Sequence, residues 1–191
     1  IFNRSAKLAA VPLVSEDGGA ECITLNISRR FTNTRYCNVF FNSFYSGHIQ
    51  ASAEQKGDWE GYGVRYLNVD DRPDKSEDGE DRGGFQSQKL AEAAVDEMVE
   101  LTRRYPNEST ILITNYSAQQ ELLVQEAKRQ EHKNFEGKVV VSDKIMTTDA
   151  AQGQGADNTI LALQIKPGGA TGHVSDVRRI TVAPSRHRRE L

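Results

Sequence analysis

The sequence has too few cysteines for a disulfide framework and no apolar run long enough to cross a membrane. Its 191 residues include only two cysteines, Cys22 and Cys37, which have neither CxxC spacing nor a nearby histidine pair. We therefore expect no metal site and no disulfide, and structural thiols in an intracellular compartment, cytoplasmic or nuclear, fit this pattern. Because a membrane-spanning helix takes about 20 apolar residues, we also expect no membrane contact.

The chain also lacks the glycine-rich loops with which many α/β domains hold a nucleotide phosphate. It contains neither GxxxxGK[ST] nor GxGxxG. The pair Gly137-Lys138 has His132 where the first glycine would stand and Val139 after the lysine, so we interpret it as the start of a strand. Any phosphate chemistry must then use arginines that face a loop supplied from elsewhere, because a guanidinium is planar and permanently charged.

Charge is distributed unevenly along the chain, although the net value is only -3. Acidic residues are concentrated between Asn68 and Asp81, which we interpret as a solvated, flexible insertion at 69–84. Near the C-terminal end lie five arginines: Arg178, Arg179, Arg186, Arg188 and Arg189. This basic stretch is the stronger functional candidate.

Strand and helix patterns alternate through the second half of the chain. Short apolar runs predict strands at 109–115, 138–143 and 158–164. Helical periodicity predicts helices at 87–105 and 117–132. At the start of the second helix, Ser117 and Gln120 fit a capping box. The pattern is typical of an α/β domain with a parallel sheet, whose ligand sites lie where the strands end. We therefore expect functional residues at 114–119, at 147–154 and among the final arginines.

Five ordered segments resemble the motifs of superfamily-one helicases. "MTTDAAQGQGADNTILAL" (146–163) is similar to motif V of that family, and "SDVRRITVAPSR" (175–186) is similar to motif VI. "LNISRRFTNTRYCNVFFNSFYSGHI" (25–49) resembles the segment that opens the second RecA-like domain, and "ILITNYSAQ" (111–119) a strand and turn within it. "IFNRSAK" (1–7) resembles the segment that follows the first domain. The similarity is greatest to the nonsense-mediated-decay and senataxin-type branch.

This resemblance implies a fold and a division of the chain. It implies a RecA-like, P-loop NTPase-type parallel sheet flanked by helices, without a P-loop of its own. Residues 1–24 would be the end of a preceding domain or a linker, and residues 25–191 would be the second RecA-like domain. Because the sequence starts at Ile1 without an initiator methionine, we expect it to be part of a longer protein.

The resemblance also implies roles for residues at a nucleotide cleft. Arg30 and Arg186 match arginine fingers that point into the ATP cleft between two RecA-like domains. Gln152 and Gly153 match the pair that couples this cleft to nucleic acid, and Arg179 belongs to the same motif set. Arg178 and Arg179 equally fit charges that satisfy carbonyls at a helix C-terminus.

Single-stranded nucleic acid, RNA or DNA, is the implied ligand of five further residues: Thr114, Tyr116, Gln119, Thr147 and Thr148. Hydroxyl and amide groups suit contacts with phosphate and sugar. The implied partners are a preceding RecA-like domain and a single strand. ATP and Mg²⁺ are expected only together with that preceding domain, and none is expected for the isolated chain.

Two functions remain open at this stage. The chain is either the C-terminal motor half of an ATP-dependent helicase, inactive as an ATP hydrolase by itself, or a degenerate helicase-like module that binds nucleic acid or a protein partner. The second reading is favoured by departures from the family pattern: Ser28-Arg29 replaces Gln-Tyr, Gly155 replaces Glu, Thr181 replaces Asn and Pro184 replaces Leu. A proline inside a helix costs about 3 kcal/mol, so the motif VI helix should bend or begin anew at Pro184.

Overall fold

The protein folds as two compact units, Ile1–Tyr62 and Gly63–Leu191. The computed structural model describes the continuous stretches 85–134, 144–164 and 181–190. Elsewhere it describes residues 11–14, 20–23, 27–28, 43, 50–51, 65, 67–69, 74–75 and 176.

The first unit contains two short strand pairs. Strand β1 (Val11–Val14) pairs antiparallel with β2 (Ala20–Ile23), with Val11 opposite Ile23. Strand β3 (Ile27–Ser28) pairs parallel with β4 (Gln50–Ala51). Arg30, the first predicted arginine finger, follows β3 and lies outside the described residues.

The second unit contains a two-stranded pair formed by a strand within the acidic block and a strand after it. Strand β5 (Asp74–Lys75) pairs antiparallel with β6 (Phe85–Gln86). Most of the insertion predicted at 69–84 lies outside the described residues. The stretch that follows β6 leads directly into the first long helix.

A four-stranded parallel sheet forms the centre of the second unit. Its strands are β7 (Thr110–Thr114), β8 (Ile145–Thr147), β9 (Ala156–Ala162) and β10 (His187–Glu190), in the spatial order β10-β9-β7-β8. All the neighbouring pairs are parallel. The predicted α/β class, a RecA-like parallel sheet with flanking helices, is confirmed. The sequence patterns predicted β7 and β9 but missed β8 and β10, and the strand predicted at 138–143 lies outside the described residues.

Two helices cover one face of this sheet. Helix α1 (Gln88–Arg104) begins after Ser87, whose hydroxyl accepts a hydrogen bond from the Leu90 amide at 3.0 Å. Helix α2 (Ser117–Asn134) follows β7. The apolar stripes of both helices pack with Leu112, Ile145 and Ala162 in one buried cluster. Each large apolar side chain buried there contributes about 1.5–3 kcal/mol to folding. In the described stretches, no helix is long and apolar enough to span a bilayer.

The start of α2 differs from the predicted capping box. The Gln120 amide nitrogen donates to Tyr116 O at 3.0 Å, as in the first turn of a helix, and not to the Ser117 hydroxyl. The Gln120 side chain donates to Ile145 O at 2.9 Å. It therefore ties α2 to the neighbouring strand β8 and does not close the helix end.

The second face of the sheet carries a smaller cluster of Ile111, Ile113, Ala151, Ala156 and Ala183. Successive residues of a strand point to opposite faces. Leu112 accordingly packs under the helices while its neighbours pack on this face, which explains the uninterrupted apolar run of β7.

Candidate functional site

The ends of β7 and β8 lie side by side at the carboxyl edge of the sheet. Thr114 and Thr147 are register partners in these two strands. Thr148, the next residue, donates to Thr114 O through both its amide nitrogen, at 2.8 Å, and its Oγ1, at 3.2 Å. Three predicted nucleic-acid contacts are thus brought together.

These three threonines differ in accessibility. Thr114 is fully buried and Thr148 is buried, whereas Thr147 is only half-buried. The Oγ1 of Thr147 accepts a hydrogen bond from the Ala150 amide at 3.4 Å. Thr147 is therefore the most exposed residue of the three.

An amide pair that the sequence reasoning missed closes the same edge. Asn115 Nδ2 donates to Gln164 O at 3.4 Å, and the Gln164 amide nitrogen donates to Asn115 Oδ1 at 3.3 Å. Gln164 Oε1 accepts from Thr114 Oγ1 at 3.4 Å, while the buried Gln164 Nε2 has no hydrogen-bond partner among the described residues. The signal in the sequence was a polar residue directly after each apolar run, Asn115 after Ile111–Thr114 and Gln164 after Leu163.

Tyr116 and Gln119 lie just beyond this edge, but their side chains face the interior. Tyr116 is 7% exposed, and its ring meets Phe85 edge-on with a centroid separation of 5.6 Å. Burial raises the pKa of the Tyr116 phenol above its ordinary value. Gln119 is fully buried; its Oε1 accepts from Ser87 N at 2.7 Å and its Nε2 donates to Ser87 O at 3.0 Å. In this geometry both residues brace the start of α2 against the segment before α1.

Residues 148–155, the crossing segment, lead from the end of β8 to the start of β9. Ala151 anchors it, because its side chain is fully buried in the cluster with Ile111 and Ile113. Gln152 and Gly153 are exposed, and Gly153 adopts φ +82°, a left-handed conformation that favours glycine. The Gly-rich composition of this stretch is therefore required at Gly153, where the chain turns towards β9.

Arg186 lies at the amino edge of the sheet, not at the carboxyl edge expected for ligand sites. The reason is the register of β10, in which His187 pairs with Ala156, the first residue of β9. Arg186 O accepts from Ala156 N at 3.1 Å, and Arg186 Nη1 donates to Gln154 O at 3.3 Å. The half-buried guanidinium is thus hydrogen-bonded to the crossing segment.

The motif VI helix changes character at its proline. Residues 181–182 are α-helical, and a 3-10 helix follows at Ala183–Ser185 with Pro184 inside its first turn. The α-helical geometry therefore ends just before Pro184, as expected for a residue with no amide hydrogen to continue an α-helical ladder.

The predicted residues fall into two groups joined by one stretch of chain. Thr114, Thr147 and Thr148 meet at the carboxyl edge, and Arg186 meets the crossing segment that carries Gln152 and Gly153 at the other end. Arg30 and Arg179 lie outside the described residues, so their roles stay predictions. The contacts of Gln154 and Ser185 with Arg186 are not predicted by the sequence pattern.

Comparison with known proteins gives one family match. The sequence model of a family described as "AAA domain" matches residues 13–191, which covers most of both compact units. No curated protein sequence matches this chain closely enough to count as a relative.

Proposed function

The chain belongs to the AAA domain family as a domain of superfamily-one helicase type, and from this premise we propose that it is the C-terminal motor half of an ATP-dependent helicase of the nonsense-mediated-decay and senataxin-type branch. The observation that carries the proposal is the crossing segment. It starts at Thr148, directly after Thr147 at the end of β8, and contains Gln154, whose carbonyl accepts a hydrogen bond from Arg186. In this proposal the eight residues 148–155 would connect the edge that binds a single strand to the arginine that faces the nucleotide.

On the strand-binding side, the proposal uses the start of α2 and Thr147. The first intrahelical hydrogen bond of α2 runs from Gln120 N to Tyr116 O, so the amides of Ser117 and Ala118 precede the helical ladder. Amides at a helix N-terminus attract phosphate, both as donors and through the helix dipole. A single strand would lie along this edge with its backbone near Ser117 and Thr147, which are exposed and half-buried respectively.

The buried members of the predicted group then act as supports. Thr114, Thr148 and Gln119 hold β7, β8 and the two helix starts in register through hydrogen bonds within the protein. Tyr116 packs on Phe85 and presents little ring surface to a base. We therefore assign backbone contacts, and little sequence preference, to this edge.

On the nucleotide side, Arg186 would neutralise charge that develops on the transferring phosphoryl group. The guanidinium suits phosphate oxygens and not a metal, because it offers five N–H donors and no acceptor for a cation. ATP with its Mg²⁺, which neutralises phosphate charge when bound, would be cradled by the P-loop of a preceding RecA-like domain. Arg30 and Arg179 would add positive charge to this cleft.

The competing proposal is a module that has lost ATP turnover and binds nucleic acid or protein. Gly155 favours it, because this position carries no side chain beside Arg186, where the family pattern has a glutamate. The coding sequence upstream of Ile1 distinguishes the two proposals, because the motor requires an in-frame GxxxxGK[ST] there. Its absence would leave the module as the better account.

We expect the isolated chain to hydrolyse no ATP and to bind single strands weakly. Phosphate release with and without single-stranded RNA checks the first point, and strand-stimulated turnover would contradict it. Anisotropy of labelled RNA and DNA oligonucleotides checks the second, with a slope of log K against log salt of about -0.7 for each phosphate neutralised. Thr147→Ala should weaken binding, and the matched control Thr102→Ala, which alters a half-buried threonine on α1, should not. No binding at low salt would refute the strand-binding role.

A further inference from the structure

Ser185 is the centre of the hydrogen bonds that fix the Arg186 side chain. Its hydroxyl donates to Val182 O at 2.8 Å. The same oxygen accepts from Arg186 Nη2 at 2.7 Å and from Arg186 Nε at 3.2 Å, and Nε also donates to Val182 O at 3.0 Å. One edge of the guanidinium thus meets two acceptors that are themselves hydrogen-bonded to each other.

The backbone of Arg186 is held independently of this contact. Its amide nitrogen donates to Ala183 O at 3.3 Å, which closes the 3-10 helix, and its carbonyl accepts from Ala156 N at 3.1 Å. Pro184, in the same turn, restricts its own φ to about -65°. With the main chain fixed on both sides, the remaining freedom of Arg186 lies in its side-chain torsions.

An arginine side chain has among the largest rotamer freedom of any residue, so ordering it opposes binding. Two nitrogens of one planar edge bound to a single oxygen define the orientation of the whole guanidinium plane. That orientation directs Nη1 to Gln154 O in the crossing segment. The hydroxyl of Ser185, together with Val182 O, therefore holds the charged group in this orientation.

We propose that Ser185 is a positioning residue that pre-orients Arg186 for a polyphosphate ligand. This role rests on the proposed phosphate role of Arg186 and adds Ser185 as the residue that orients its guanidinium. Ser185 does not touch the phosphate in this scheme. It reduces the conformational entropy that the Arg186 side chain loses when the phosphate binds.

The test uses the 191-residue chain, with inorganic pyrophosphate as the probe. The Arg186 Nε–H signal is assigned in ¹H–¹⁵N spectra by its loss in Arg186→Lys and is followed during a pyrophosphate titration. We expect Ser185→Ala to speed solvent exchange of this Nε–H and to weaken pyrophosphate binding about 2- to 10-fold. Ser185→Thr, which keeps a hydroxyl, should restore both properties to within about 2-fold of the original.

Thr102→Ala is the matched control, because Thr102 Oγ1 also donates to a helix carbonyl, Met98 O at 2.8 Å, on α1. It should leave the Arg186 signal unchanged. An unchanged signal and affinity in Ser185→Ala would overturn the proposal, as would an equal effect of Thr102→Ala. If Arg186 does not respond to pyrophosphate even in the original chain, the phosphate role of Arg186 fails and the positioning role falls with it. Unchanged backbone spectra away from residues 182–187 separate these outcomes from unfolding.

Discussion

Replacing Gln119 with alanine should destabilise the second unit strongly, although the sequence predicts a role for this residue in nucleic-acid binding. The fully buried Gln119 makes two hydrogen bonds with the backbone of Ser87, at 2.7 and 3.0 Å. Each hydrogen bond contributes about 1 kcal/mol to stability, and removing one partner adds the cost of leaving the buried Ser87 amide and carbonyl without a hydrogen bond. Loss of one buried methylene adds about 0.8 kcal/mol. We therefore expect Gln119→Ala to lower the free energy of unfolding by about 2 to 4 kcal/mol.

Gln130→Ala is the matched control for this measurement. Gln130 is a glutamine on the same helix, and its Nε2 donates to Asp96 Oδ1 on α1 at 2.7 Å and to Glu126 Oε1 at 3.1 Å. Because Gln130 is only half-buried and its partner Asp96 is exposed, its loss should cost less than about 1 kcal/mol.

Urea denaturation followed by ellipticity at 222 nm includes the unfolding of α1 and α2, whereas Trp59, the single tryptophan of the sequence, belongs to the first unit and provides a separate fluorescence signal. Equal costs for Gln119→Ala and Gln130→Ala would refute the reasoning. If Gln119→Ala lowers the affinity for a single strand by more than the loss of folded protein explains, Gln119 contacts nucleic acid directly, as the sequence predicts.

Three further predictions follow from single residues. Because the pKa of Tyr116 is raised in the folded state, the neutral phenol stabilises the fold. This stabilisation is complete below the unfolded pKa of about 10 and is lost as the pH rises through the folded pKa. Between about pH 9 and about pH 11, the free energy of unfolding should therefore decrease less in Tyr116→Phe than in the original chain. Equal decreases would contradict the burial argument. Gly153→Ala should cost about 1 kcal/mol because of its left-handed φ of +82°. Gly155→Ala should change stability by less than about 0.5 kcal/mol, since the added Cβ would lie 3.5 Å from Arg186 O, an ordinary contact. Thermal melting of both variants checks this, and equal destabilisation by Gly153→Ala and Gly155→Ala would refute it.

The sequence patterns predicted those elements whose signal is local. The apolar run of β7, the stripe of α1 and the periodicity of α2 each depend on a few neighbouring residues, and the observed bounds lie within about two residues of the predicted ones. Strands β8 and β10 were missed because β8 has three residues and β10, with sequence HRRE, has no apolar alternation. Their pairing comes from neighbours far away in the chain, Ile113 opposite Met146 and His187 opposite Ala156.

For the candidate site, the sequence by itself determined the chemical types and their order: hydroxyls at the ends of β7 and β8, a glycine-rich crossing segment, an arginine after a proline, and no phosphate loop. Only the tertiary structure decided which side chains are buried and which are accessible. Tyr116 and Gln119 are covered by Phe85 and Ser87, which lie about 30 residues earlier, and Arg186 is tied to Gln154, 32 residues away. The physical reason is that a local pattern encodes backbone geometry and residue type, whereas burial and hydrogen bonding depend on segments that meet only when the sheet and its helices pack.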